Sequence, residues 1–103
     1  MKSLLCLPAI FLISLSLSQP AHSQAAADLY SSKCKMCHGA DGKGNTPVAK
    51  TMGVRDIKSP EVAKATVADM ISITKNGKNK MPAYKDKLTD DQVKDLVTYI
   101  RGL

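Results

Sequence analysis

Cys34-Lys35-Met36-Cys37-His38 sets two thiols three positions apart, with an imidazole directly after the second. Three chemistries use such a pair. A thiol–disulfide redox motif of this spacing belongs beside a βαβ pattern, and no segment of this chain alternates at period 2. A structural zinc site wants four nitrogen or sulfur ligands. The chain offers only Cys34, Cys37 and His38 within five positions, and no second cluster follows. The third chemistry is covalent attachment of a c-type haem, for which C-x-x-C-H is the signature. Two thiols one helical turn apart can each add to a porphyrin vinyl group, and the adjacent imidazole then lies under the iron. Haem attachment satisfies every residue of the motif; a bare disulfide or thiol pair is the alternative.

Working outward, residues 24–38 read as one helix that leads into the motif. Ala26, Tyr30, Cys34, Cys37 and His38 share a face at spacings of 4, 4, 3 and 1. Residues 39–60 read as loop, punctuated by Gly39, Gly42, Gly44, Pro47, Gly53 and Pro60. Ser59-Pro60-Glu61 starts a short helix, a cap followed by proline at the first position. A second begins near Thr66, carries Val67, Met70 and Ile71 at helical spacing, and ends at Gly77. Lys78–Lys87 is loop again. Thr89-Asp90-Asp91-Gln92 is a capping box for a last helix whose stripe is Val93, Leu96, Val97 and Ile100. The expected fold is all-α, with three or four short helices and long loops.

Composition limits what can fill the middle of such a fold. The chain has 103 residues, 15 Lys+Arg against 9 Asp+Glu, 3 Cys, 2 His, no Trp and one Phe. That length allows one domain. Residues 1–23 read as an export signal. Lys2 supplies a positive start, Leu4–Leu17 holds 11 apolar residues out of 14, and Ala21-His22-Ser23 puts small residues at −3 and −1 of a cut before Gln24. The apolar run is too short to span a bilayer, which takes roughly 20 residues. Cleavage removes Cys6 and His22 and leaves a domain over 24–103 with 14 cations against 9 acids, a formal balance of +5. The expected location is the periplasm. Few large apolar side chains remain, and a domain this small is marginal unless stapled. A buried cofactor would supply the missing core.

The residues resemble the small soluble class I cytochromes c in their short bacterial form, over essentially all of 25–103. Besides Cys34–His38, the likeness rests on Gly39-Ala40-Asp41-Gly42-Lys43-Gly44-Asn45, Asn76-Gly77-Lys78, Lys80-Met81-Pro82-Ala83-Tyr84 and Leu96-Val97-Thr98-Tyr99-Ile100. The resemblance implies a cytochrome c-like fold in which the terminal helices cross, here at Ala26 and Tyr30 against Leu96 and Tyr99. It implies one covalent haem c, with Cys34 and Cys37 as thioethers and His38 as an axial ligand. For the sixth ligand the methionines to weigh are Met36, Met52, Met70 and Met81. Met36 sits between the thioether cysteines, Met52 lies 14 residues past His38, and Met70 is on an apolar stripe. Met81 lies in a polar loop before Pro82 and matches the family's ligand position.

By the same resemblance the Pro47 backbone carbonyl accepts the second N–H of His38, and Arg55 is the candidate propionate partner. The family's propionate-binding Trp is missing. Lys33, Lys35, Lys43, Lys50, Lys75, Lys78, Lys80, Lys85 and Lys87 would ring the haem edge and steer docking onto acidic redox partners. The implied role is a monomeric, diffusible one-electron carrier and not an enzyme, with no role in nucleic-acid binding. The alternatives are a small haem enzyme, or an electron-entry subunit of a larger periplasmic redox enzyme.

Overall fold

The structure, a computed structural model, describes residues 3–6, 8–15 and 21–103. Among these described residues six helices follow one another: α1 Ala21–Lys33, α2 Lys35–His38, α3 Pro47–Met52, α4 Pro60–Ala63, α5 Val67–Asn76 and α6 Asp90–Arg101. No strand occurs among the described residues; a single bridge pairs Lys78 with Met81. The all-α expectation is met, but the count of three or four is not. The predicted helix over 24–38 begins earlier, at Ala21, and breaks at Cys34. The predicted loop over 39–60 contains α3. The signal for α3 is in the chain: Thr46 accepts from the Ala49 N–H as N-cap and Pro47 takes the first helical position. That is the same device as Ser59-Pro60 at α4.

The capping box expected at Thr89 is formed, and the helix expected to start near Thr66 starts with a second box that was not predicted. Thr66 with Asp69 and Thr89 with Gln92 are both complete capping boxes. α1 packs on α6, and α5 packs on α6 as well. The buried cluster joins Tyr30, Leu88, Val93, Leu96 and Ile100. The Tyr30 and Tyr99 rings meet at a centroid separation of 5.4 Å, tilted by 51°. Among the described residues the fully enclosed apolar side chains are Ala26, Tyr30, Ala49, Val93, Leu96 and Val97, only four of them large, and the helices leave a cavity that these do not fill. Residues 4–6 and 10–15 stand apart from this packing, with Leu4, Leu5, Ile10, Phe11, Leu12, Ile13 and Leu15 all exposed.

Candidate functional site

α1 is interrupted at Cys34, and the interruption builds the site. The Cys37 and His38 N–H groups both donate to the Cys34 carbonyl. This tight turn starts α2 and directs both cysteines and His38 toward one cavity of about 460 Å³. Its walls include Cys34, Cys37 and His38 from the motif, Val54 and Arg55 from the segment after α3, Val62 and Ala65 around α4, Ile73 from α5, and Met81, Pro82 and Tyr84 from the following loop. The volume and mostly apolar lining suit a small organic cofactor. No disulfide joins Cys34 and Cys37. Among the described residues no group of three or more Cys, His, Asp or Glu is placed to hold a bare metal ion.

His38 is poised as a ligand. Burial holds its pKa below the ordinary value, so the ring is neutral at pH 7, the form that coordinates a metal. Its Nδ1 is buried without a hydrogen-bond partner. An orphaned buried nitrogen is rare and marks a site that another group completes. Burial likewise raises the Cys34 thiol above its usual value, with Lys33 opposing the shift.

The remaining candidates divide. Met81 lines the cavity, as read from its loop. Met36 is 74% exposed and points away. Met70 packs against the core, with the Arg101 guanidinium 3.4 Å from its sulfur. Met52 also reaches the cavity, a placement its sequence position did not suggest, but it ends α3, which packs on His38's own helix. Arg55 stands at the mouth and pairs with Glu61 at 3.1 Å, both side chains exposed. Pro47 opens α3, and its carbonyl accepts from the Thr51 hydroxyl at 3.2 Å. Because His38 Nδ1 has no partner, the expected bond from His38 to Pro47 is not formed in this arrangement.

Two tyrosines do more than the sequence reading assigned. The Tyr30 hydroxyl donates to the Gly39 carbonyl, just past the motif, and desolvation pushes its pKa up to about 12. The Tyr84 hydroxyl donates to the Lys33 carbonyl, just before it, at 3.2 Å. Spacing places the Tyr30 ring on the packed helical face, and Tyr84 reads from the sequence only as part of the loop motif; neither hydroxyl partner is legible there. Of the predicted lysine ring, Lys33, Lys78 and Lys80 line the cavity mouth with Arg55, against the single acid Glu61.

Comparison with known proteins agrees with this geometry. Residues 21–100 match the family model described as "Cytochrome C oxidase, cbb3-type, subunit III". The cytochrome c6 of Nostoc sp. is 34% identical, with 95% of this chain and 88% of the relative covered. The cytochrome c6 of Leptolyngbya boryana is 32% identical over 78% of this chain and 91% of its own length. The Rhizobium meliloti protein named "Cbb3-type cytochrome c oxidase subunit FixP" is 32% identical across 84% of this chain, which spans only 29% of that subunit. A solved structure titled "KustC0563 c-type cytochrome" superposes with a TM-score of 0.69 at 35% identity, covering 75% of this chain and 94% of the other. A motif that can form two thioethers, a neutral buried imidazole and an apolar cavity fit the cofactor those relatives share: the chain belongs to the class I c-type cytochrome family, and its cofactor is a covalently bound haem c.

Proposed function

We propose that this haem c electron carrier works as a diffusible periplasmic shuttle, with His38 and Met81 as axial ligands and Cys34 and Cys37 as the thioether anchors. The carrying observation is that these four residues line one apolar cavity from different elements: the motif at the break after α1, and Met81 on the loop after α5. The haem supplies a one-electron ferric–ferrous couple. The chain supplies the rest. His38 is kept neutral by burial, Met81 offers a thioether that favours the ferrous state, and the apolar walls exclude water from both. With both positions taken by protein ligands, the iron would have no standing site for substrate and little to rearrange on electron transfer. The orphaned His38 Nδ1 needs an acceptor, and the Pro47 carbonyl on the helix packed beside it is the one we assign. Arg55 at the mouth is our propionate partner, released from Glu61 to meet it.

The exposed apolar run before residue 16 supports its reading as a leader removed before Gln24, and a periplasmic carrier is the reading that goes with such a leader. The basic rim of Lys33, Lys78 and Lys80 supports docking on acidic redox partners. A second reading, the electron-entry part of a larger enzyme, is favoured by the FixP match.

The test is optical. The oxidised holoprotein should show the sulfur-to-iron charge-transfer band of a low-spin His/Met centre. Met81→Ala should abolish the band and lower the reduction potential, while Met52→Leu, a near-isosteric change, should keep it. A band lost in Met52→Leu and kept in Met81→Ala would refute the ligand assignment.

A further inference from the structure

We propose that the Tyr84 hydroxyl is a latch that holds the Met81 loop against the haem-attachment segment, and thereby sets how readily the iron's sixth position opens. Leu88 packs with Tyr30 in the core, but by hydrogen bonds the loop is otherwise anchored on one side only. The Tyr84 and Lys85 N–H groups donate to the Thr74 and Lys75 carbonyls at the end of α5, at 3.0 and 3.1 Å. Lys78 and Met81 bond to one another within the loop, at 3.2 and 2.9 Å. Toward the opposite wall, among the described residues, one hydrogen bond crosses from residues 77–88 to residues 33–38: Tyr84 Oη to the Lys33 carbonyl, spanning 51 positions of sequence.

The acceptor is available for a structural reason. In an unbroken helix the Lys33 carbonyl would receive the Cys37 N–H, four residues on. Here that N–H turns instead to the Cys34 carbonyl at 3.2 Å, because the helix breaks to present the two cysteines. The break that builds the attachment motif therefore frees a carbonyl, and the ligand loop supplies its donor. The latch is supported from outside by Lys87, whose ammonium lies 5.6 Å from the centre of the Tyr84 ring. Tyr84 itself lines the cavity beside Pro82 and Cys34, so its ring packs at the site while its hydroxyl makes the tie. It makes no hydrogen bond to His38 or Met81; it is a positioning residue, and this role rests on Met81 being the sixth ligand.

Tyr84→Phe removes the tie and keeps the ring. The probe is imidazole, titrated into the ferric holoprotein and followed by the sulfur-to-iron band, because imidazole binds only when the methionine lets go. One neutral hydrogen bond is worth about 1 kcal/mol net, so Tyr84→Phe should bind imidazole about fivefold more tightly. Its band without imidazole should equal that of the wild type. Tyr99→Phe, which removes a hydroxyl from the core without touching the loop, should leave the affinity unchanged. Affinity in Tyr84→Phe within twofold of wild type, or an equal rise in Tyr99→Phe, overturns the latch. A band that persists in Met81→Ala overturns the ligand reading itself and the latch with it, and is told apart by being seen before any imidazole is added.

Discussion

Gly77 offers the sharpest test of how this loop is made. It closes α5 with φ 77° and ψ 167°, a region open essentially to glycine alone. A Cβ built there would lie 2.7 Å from the Met81 carbonyl oxygen, 3.0 Å from the Ala83 nitrogen and 3.1 Å from the Pro82 carbonyl carbon. All three are backbone atoms, so no side chain can swing aside. Gly77→Ala therefore carries about 1–3 kcal/mol of dihedral strain, and relief of the clash requires Met81–Ala83 to shift. Gly53 is the control. It also has a positive φ, 70°, but a Cβ there meets nothing within 4 Å. Gly53→Ala should cost about 1–2 kcal/mol with no displacement. For a domain of this size each kcal/mol is worth about 4–8 °C of melting temperature. Both variants should melt earlier, but only Gly77→Ala should lose or shift the sulfur-to-iron band. The measurements are the ferric absorption spectrum and thermal melting of purified holoproteins. If Gly77→Ala kept a wild-type band and melted no lower than Gly53→Ala, the tight coupling of this glycine to Met81 would be wrong.

Other outcomes follow from the rim and the core. Charge reversal at Lys33, Lys78 and Lys80 should slow oxidation of the reduced protein by anionic hexacyanoferrate and flatten its salt dependence. The difference should be largest well below 0.15 M salt, where the screening length exceeds ~8 Å; stopped-flow rates that do not move would reduce the rim to a solubility feature. Tyr30 titrates later folded than unfolded, since burial raises it from 10.0 to about 12. A raised folded pKa gives stability that is complete below pH 10 and is lost as pH climbs toward 12. Tyr30→Phe should remove that part of the alkaline loss, checked by urea melts at pH 9 and pH 11; identical slopes for both proteins would sink the assignment.

The motif Cys34-x-x-Cys37-His38, the capping box at Thr89 and the stripe on α6 were readable from the chain because each is a local code of residue type and spacing. The cofactor followed from them, since so few large side chains had to be completed by something else. Local code also carried α3, in Thr46-Pro47, although proline there reads equally as loop punctuation until a helix is seen to follow it. What no local code contains is the partner of a group that its own neighbours leave unsatisfied. The Lys33 carbonyl is freed by a helix break one residue later, and Tyr84 comes from 51 positions away to meet it. Met52 reaches the same cavity as Met81 because α3 folds onto α2. Arg55 finds Glu61 only once α4 brings that carboxylate to the cavity mouth. Spacing along one helix is decided by 3.6 residues per turn. Convergence across a cavity is decided by how separate helices pack, and that is settled only in three dimensions.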